Sequence, residues 1–579
     1  MKKVLIANRG EIAVRIIRAC ADRGLDTVAV YADSDADAIF VRMADEAWGL
    51  DGDRPADTYL DAEKLISIAQ WSGADAVHPG YGFLSESADF ARRVIDAGLT
   101  WIGPSPESID LLGDKIAARQ IASSVGAPLV AGTPDPVATA ADAVAFAEQY
   151  GLPVVIKAAF GGGGRGMRVA RSLDEVAEQF DAAVREAVAA FGRGECFIEQ
   201  FLDAPRHVEV QVMADSHGNV VVLGTRDCSL QRRNQKLVEE APAPFLTDDQ
   251  RERLHRSAAD ICAAANYQGV ATVEYLLSID GTISFLEVNT RLQVEHPITE
   301  ETSGVDIVTE QLRIAEGLPL SVQATPEPLG HSFEFRINAE DAARGFLPTP
   351  GLITRFEPPT GPGIRVDSGV ETGTMVSGRF DSMLAKLIVT GPTRDIAIRR
   401  ARRALDEIVL EGVATVLPFH RAVLNDDDFV NGMTLKVHTQ WIETTFAERL
   451  PADALLPETD EPGVTTSWIE IDGRRHTLRA PASSTPFAAT AGAHQAQTSV
   501  ANSGAADSSP GILAPMAGTL SSWIVDDGST VAVGDSVAVM EAMKMETTVT
   551  ATTAGVLHHR SAPGDFVSAG DQLATIESP

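Results

Sequence analysis

Between Pro481 and Pro510 the chain gives up large side chains. Of these 30 residues, 23 are Ala, Ser, Thr, Gly or Pro, and only Asp507 is charged. So little apolar surface does not offset the entropy of ordering a segment, and the stretch reads as a flexible tether. A tether of this length has a typical end-to-end distance of roughly 30 Å and reaches about 100 Å when extended. The sequence on either side must therefore bury its own core. At about 100–200 residues per domain, a chain of 579 residues predicts roughly three to five domains.

After the tether, Gly511 to Pro579 repeats itself. Ala517-Gly518 recurs as Ala554-Gly555, Gly534-Asp535 as Gly570-Asp571, and Glu541 as Glu577. Two similar halves of short strands and Gly-Asp turns predict a small quasi-symmetric β-sandwich or flattened barrel. Glu541-Ala-Met-Lys-Met-Glu546 falls where the halves meet, a natural hairpin tip. Just before the tether, Trp468 to Leu478 reads as a hairpin turning at Asp472-Gly473.

Before the tether, the chain opens with alternating strand and helix signals. Val4 to Ala7 reads as a buried strand, Glu11 to Ala21 as a helix stopped at Gly24, and Thr27 to Tyr31 as the next strand. This is a parallel α/β pattern. Asn8-Arg9-Gly10-Glu11 is not GxGxxG, so a dinucleotide site is not supported. From Pro134 to Gly194 the pattern changes to short strands about a glycine run, and from Ser332 to about Trp441 it reads as α+β, with a helix over Asp395 to Glu407.

Gly161-Gly-Gly-Gly-Arg-Gly166 follows a strand and is flanked by Lys157, Arg165 and Arg168. A plain flexible loop would look similar, but bare backbone N–H groups beside cations suit polyphosphate. The run lacks GxxxxGK[ST] and is not a Walker P-loop. If Glu287 to Glu295 stays extended, Glu287, Asn289, Arg291, Gln293 and Glu295 share one face. That face is either a solvated strand surface or a site. With Glu274 on the preceding predicted strand, two carboxylates and an amide suit Mg²⁺ bridging ATP phosphates. Gln231 to Lys236 packs three cations together, as a basic surface loop or an anion site.

The net charge of −33 argues against a nucleic-acid binder, and 44% hydrophobic with 22% charged residues is ordinary globular composition. Cys20, Cys196, Cys228 and Cys262 show no CxxC pair or zinc spacing and read as reduced, structural cysteines. Only four apolar residues follow Lys3 before Asn8, too few for a secretory leader, and no apolar run is long enough for a membrane span. A cytoplasmic protein without membrane partners is expected.

These residues resemble a known family. The strings KVLIANRGEIAVRIIRA from Lys3, HPGYGFLSE from His78, GDK to Lys115, GGGGRGMR to Arg168, PRHVEVQV from Pro205, RDCSLQRRNQKLVEEAPAP from Arg226, EVNTRLQVEHPITE from Glu287, EFRINAED from Glu334 and DSMLAKL from Asp381 resemble biotin carboxylase, an ATP-grasp enzyme. Gly511 to Pro579 resembles a biotinyl carrier domain, with acceptor motif Ala542-Met543-Lys544-Met545. The arrangement is similar to the α subunit of actinobacterial acyl-CoA carboxylases of the acetyl- or propionyl-CoA type.

The resemblance implies an α/β and α+β multidomain protein. Its expected parts are an N-terminal α/β domain at 1–114, an ATP-grasp domain at 115–330 with a glycine-rich lid at about 134–203, and a biotin carboxylase C-terminal domain at 331–447. A hairpin segment at 448–480, the linker at 481–510 and an all-β biotinyl domain at 511–579 complete it. Lys115, Lys157, Gly163, Gly164, His207 and the Glu199 to Leu202 hinge would contact ATP, with Asn234 nearby. Glu274, Glu287 and Asn289 would hold two Mg²⁺ or Mn²⁺ ions. Lys236, Arg291, Gln293 and Val294 would hold bicarbonate, and Glu295 would be the general base for its attack on the γ-phosphate. Arg336 would face the biotin ureido oxygen and stabilise its enolate. Biotin would be joined to Lys544 by a biotin protein ligase and serve a separate carboxyltransferase β subunit, in a homo-oligomer within a hetero-oligomeric complex. Asn234 and Gln200 stand where some members have His and Lys. The alternatives are another ATP-grasp ligase, a lipoyl carrier, or a biotin-carrying scaffold with an inactive ATP domain; the presence of both Glu295 and Lys236 speaks against the last.

Overall fold

The opening segments pair as parallel strands. In the computed structural model β1 (Lys3–Ile6) is flanked by β2 (Asp26–Tyr31) and β4 (Ala76–His78), with β3 (Glu46–Gly49) and β5 (Thr100–Trp101) outside them. Helix α1 (Gly10–Asp22) buries Ile12, Ile16 and Ala19, the spacing read from sequence, and Gly24 follows it at φ +68°. The structure describes the chain except residues 134, 159–166, 432–435, 450–463, 472–473, 482–510, 544 and 578–579. It divides into two units, one of residues 1–339 and 350–450 and one of 340–349 and 451–579.

In the first unit, β6 (Val154–Ala158) lies between β7 (Met167–Ala170) and β8 (Cys196–Gln200) in a three-stranded antiparallel sheet. Two helices, Ala140–Tyr150 and Leu173–Phe191, pack with it. The sequence reading gave only short strands here. The first helix carries a capping box from Thr139 to Asp142, a start signal that was legible. Gly163 and Gly164 lie outside the described residues.

The site rests on an eight-stranded sheet. It comprises β9 (Arg206–Ala214), β10 (Val220–Arg232), β11 (Gln235–Ala241), β12 (Gly269–Leu277), β13 (Ile283–Asn289), β14 (His331–Asn338) and the strands Ile364–Ser368 and Met383–Gly391. The order runs β13-β12-β9-β10-β11-β14, then Met383–Gly391 and Ile364–Ser368, all antiparallel. Alternation gives it two chemically different faces. Val208, Val210 and Val212 join the core formed with Leu254, Ala258 and Ile261 of the helix Asp248–Ala264. His207, Glu209 and Gln211 alternate with them and are buried too.

One expectation is corrected. The strand that begins at Ile283 ends at Asn289, so Glu287 to Glu295 is not one extended face. The chain turns, and Glu295 becomes the N-cap of the helix His296–Ser303, which has Pro297 in its first turn. Proline is pre-organised for that position and fixes the start of the helix.

In the second unit, Val464–Ile471 pairs with Arg474–Pro481, and Ile471 lies opposite Arg474. The turn expected at Asp472-Gly473 lies outside the described residues, as does the tether from residue 482 on. From Gly511 the chain forms two four-stranded sheets around one apolar core. The repeat has a steric basis. A Cβ on Gly518 would meet the Glu541 carbonyl oxygen at 2.6 Å, and one on Gly555 would meet that of Glu577 at 2.2 Å. In the two halves Asp535 and Asp571 each accept a 2.7 Å hydrogen bond from the backbone three residues earlier. Strands Ser536–Ala542 and Met545–Thr550 form the hairpin between the halves, and Met543 turns at φ +51°. Lys544, beside it, lies outside the described residues.

Gly555→Ala should therefore destabilise the second unit by about 1–3 kcal/mol through overpacking against backbone. Hydrogen exchange followed by mass spectrometry should show faster exchange across 536–550 and 572–577, with the first unit unchanged.

Candidate active site

Strand registers align Glu287 of β13, Glu274 of β12, Glu209 of β9 and Arg226 of β10 in one row across the sheet. Directly opposed residues share a face with Cβ atoms about 4.5–5.5 Å apart, and like charges so placed repel. Cations answer that repulsion. Arg226, fully buried, donates to Glu209 Oε2 through Nε and Nη2 at 3.0 and 2.9 Å. Its Nη1 donates to Gln211 Oε1 at 2.7 Å and Thr299 Oγ1 at 2.9 Å. Lys236 of β11 reaches the same carboxylates. Its ammonium contacts Glu209, lies 3.4 Å from Glu274 Oε1 and 2.7 Å from Glu295 Oε1. His207 Nε2 is 2.8 Å from Glu274 Oε2.

Glu295 is fully buried, yet ionised. Burial alone would raise its carboxyl, but Lys236, Arg336 and Arg226 overcome it and hold the group well below the usual range. Its N-cap position adds a favourable dipole. Arg336 of β14 donates from Nη2 to Glu295 Oε2 at 3.0 Å and from Nε to Glu239 Oε1 at 2.6 Å. His420 Nε2 lies 2.8 Å from the Arg336 carbonyl. One carboxylate thus joins two cations that reach it from different strands.

Glu274, Glu287 and Asn289 gather at the β12–β13 edge. Burial and the charge of Glu274 raise the Glu287 carboxyl, while Lys115, 3.8 Å away, lowers it. A repulsion of that kind is relieved by a divalent cation, and carboxylate and amide oxygens are the hard donors Mg²⁺ prefers, so these residues fit the ion. His207, Glu209 and Glu274 also bring ligand atoms within 4.8 Å of one another. The Lys236 ammonium already lies against Glu209 and Glu274, however, so that group is an ion-paired cluster. A cleft beside the edge is lined by Leu112, Gly113, Lys115, Glu86, Glu287 and Asn289, among others.

The structure brings most of the candidate residues together. Arg291 donates to Asn289 Oδ1 and Gln293 Oε1, both at 3.1 Å, and to Glu86 Oε2 at 2.9 Å. Gln293 Nε2 reaches Glu274 Oε1 at 3.4 Å. The Val294 carbonyl accepts a 2.9 Å bond from Lys386, a fully buried lysine. Lys157 of β6 pairs with Glu199 of β8 at 2.9 Å, and Leu202 follows that strand. Asn234 stands apart, exposed at the β10–β11 turn, where Arg233 and Asn234 both have positive φ. Such hairpin turns favour Asn, which explains the residue locally. Glu86, Glu209, Arg226, Glu239 and Lys386 were missed as site residues. The alternation His207, Glu209, Gln211 on a long strand was the signal for the second of these.

Known proteins align with this architecture along nearly the whole chain. The family models match in order: "Biotin carboxylase, N-terminal domain" at residues 1–109, "Carbamoyl-phosphate synthase L chain, ATP binding domain" at 114–323, "Biotin carboxylase C-terminal domain" at 334–444 and "Biotin-requiring enzyme" at 511–576. The biotin-dependent acyl-coenzyme A carboxylase alpha3 subunit of Mycobacterium leprae is 56% identical over 99% of this chain and 98% of its own length. The biotin carboxylase of Haemophilus influenzae is 48% identical over 75% of this chain and 97% of its own. Among solved structures, the Campylobacter jejuni biotin carboxylase complex covers 76% of this chain and 98% of that one, with a TM-score of 0.72 at 40% identity. The biotin carboxylase domain of Hydrogenobacter thermophilus 2-oxoglutarate carboxylase, solved with MgADP, ADP and bicarbonate, covers 76% and 97% with a TM-score of 0.71 at 44% identity. The chain belongs to the biotin carboxylase family and has the architecture of a biotin-dependent acyl-CoA carboxylase α subunit, an ATP-grasp ligase followed by an all-β biotinyl domain. It is an enzyme that uses ATP and Mg²⁺ to carboxylate biotin. Among the described residues no helix is long and apolar enough to cross a membrane.

Arg226→Met would leave Glu209 buried without its fork. Breaking a buried pair from one side costs about 3–5 kcal/mol. Urea denaturation of the first unit should show a loss of that size, and Arg226→Lys should recover only part of it, because an ammonium cannot span Glu209, Gln211 and Thr299 together.

Proposed function

We propose that the cluster around Glu295 runs the ATP- and bicarbonate-dependent half of an acyl-CoA carboxylase. Glu295 accepts the bicarbonate proton as its oxygen attacks the γ-phosphate of ATP, while Lys236, Arg291, Gln293 and Val294 hold the bicarbonate. The observation that carries this reading is the buried Glu295 carboxylate shared between Lys236 and Arg336 at 2.7 and 3.0 Å. Its low proton affinity belongs to the ion-paired state. When bicarbonate draws Lys236 toward itself, Glu295 loses part of a cation and becomes a better base.

Lys115, Lys157, Gly163, Gly164, Glu199, Leu202 and His207 bind ATP, with Asn234 at the periphery. Glu274, Glu287 and Asn289 hold Mg²⁺, which supplies neutralisation of the phosphate charge. Arg336 presents a fixed donor to the biotin ureido oxygen, where negative charge develops. Lys544 carries the biotin, attached by a biotin protein ligase. The carboxylated carrier then serves a separate carboxyltransferase subunit, a reading supported by the resemblance to a carboxylase alpha3 subunit.

Two variants test the division of labour. Glu295→Gln should lower bicarbonate-dependent phosphate release and biotin carboxylation together, by about 10²–10⁴-fold. Arg336→Ala should lower biotin carboxylation by about 10²–10³-fold while bicarbonate-dependent phosphate release continues. Equal loss of phosphate release in both variants would assign Arg336 to the phosphoryl-transfer step as well. Lys544→Arg should abolish the streptavidin signal of the chain yet leave carboxylation of free biotin intact.

A further inference from the structure

We propose that Glu239 and Glu334 form a buried acid pair that holds one proton between them, and that this pair positions Arg336. The two residues lie directly opposite each other in the β11–β14 ladder, so their side chains share a face. Both are fully buried. Among the described residues neither carboxylate oxygen of Glu334 has a hydrogen-bond partner, and neither has Oε2 of Glu239. A proton between them is the donor that both groups lack. Like-charged carboxyls this close, away from water, do not both ionise.

The surroundings fix where the negative charge rests. Beside Glu334, Ala241 of β11, Ile298 of the helix His296–Ser303 and Ile388 of the strand Met383–Gly391 form an apolar cluster. Ala241 and Ile388 lie one alternation from Glu239 and opposite Glu334, respectively. The charged groups acting on the pair are Lys236 on β11, Arg336 on β14, Lys386 on Met383–Gly391 and Glu295 at the helix start. Arg365 lies beyond Ile388 in the row of Glu334, where Glu300 and Asp367 engage it, Asp367 stands opposite Lys386, and His296 follows Glu295. Lys386 is engaged by Glu11 at 3.1 Å, Asp367 by Arg365 at 2.8 Å, and burial holds His296 neutral. Among the described residues only Arg336 bonds to the pair, through Nε to Glu239 Oε1 at 2.6 Å. The negative charge therefore rests on Glu239, and the proton lies toward Glu334. In keeping with this, burial pushes both carboxyls up, Glu239 to about 7 and Glu334 well above the carboxylate range.

One negative charge on the pair anchors Arg336 from behind and leaves its Nη2 to be shared between Glu295 and a substrate oxygen. A second negative charge would pull the guanidinium back and neutralise the donor. Loss of the shared proton at alkaline pH should thus depress biotin carboxylation. This rests on the assignment of Arg336 to biotin, but the existence of the shared proton does not.

The test has two readouts. Infrared spectroscopy of the full chain at neutral pH should show the carbonyl stretch of a buried protonated carboxylic acid. Glu334→Gln should remove it. Glu239→Gln should remove it too, because Glu334 then ionises against Arg336 and Lys386. Either substitution is informative if the other fails to fold. A band that survives in a folded variant overturns the shared proton whatever Arg336 does. In the pH profile of biotin carboxylation, Glu334→Gln should move the alkaline fall upward by about one pH unit or more, about tenfold in rate at its end. Glutamine is neutral and still able to donate to Glu239, so a merely structural role would leave the profile in place. A profile that superimposes on that of the unsubstituted chain overturns the positioning role.

Discussion

Three glutamates stacked side by side across a sheet are the constraint around which the first unit is built. Glu287, Glu274 and Glu209 occupy one row on adjacent strands, and Glu209 and Glu274 are shut away from water. Each buried carboxylate would cost several kcal/mol if left alone. The fold answers with Arg226 inside the same row, Lys236 from β11 and His207 from β9. It manages this because alternation sends Val208, Val210 and Val212 into the apolar core while their neighbours face the charges. Stability and chemistry are thus divided between the two faces of the same strands.

That division explains how distant segments converge on one reaction. Tyr81 and Lys386 both bind Glu11 of α1, and Lys386 also donates to the Val294 carbonyl. The first helix of the chain is thereby tied to the loop before Glu295. Through Lys386, Glu11 of the Asn8-Arg9-Gly10-Glu11 segment thus bears on the Val294 carbonyl, one of the groups proposed to hold bicarbonate.

Much of this was legible in the sequence, for reasons that can be named. The parallel α/β start and the repeat after residue 510 followed from periodicity and paired glycines, and the structure supplies the cause in carbonyl oxygens too close for any Cβ at Gly518 and Gly555. The pairing of Glu274 with Glu287 followed from placing two strands side by side. What alternation could not see was where the strand stops. Treating Glu287 to Glu295 as one strand put Glu295 on the metal-binding face. The helix start at His296-Pro297 instead swings it to Lys236 and Arg336. Residues such as Glu239 and Glu334 were illegible because their meaning lies in register, and a ladder between β11 and β14, separated by some ninety residues, is set by tertiary packing.

Two carboxylate pairs on the polar face meet their mutual repulsion in different ways. At one end Glu274 and Glu287 repel each other beside an open cleft, and Glu287 is only half-buried. A group exchanged with solvent can be neutralised there by a cation arriving with the nucleotide. At the other end Glu239 and Glu334 repel each other where both are fully buried, beside the apolar cluster of Ala241, Ile298 and Ile388. The same electrostatic problem thus has a mobile solution at the edge of the sheet and a fixed one in its middle. Glu295, lying between them, is bonded to Lys236 at 2.7 Å and to Arg336 at 3.0 Å. Under the roles proposed for them, Lys236 and Arg336 are the groups that meet bicarbonate and biotin, so a base paired with both changes its proton affinity when those substrates arrive, without movement of the sheet around it.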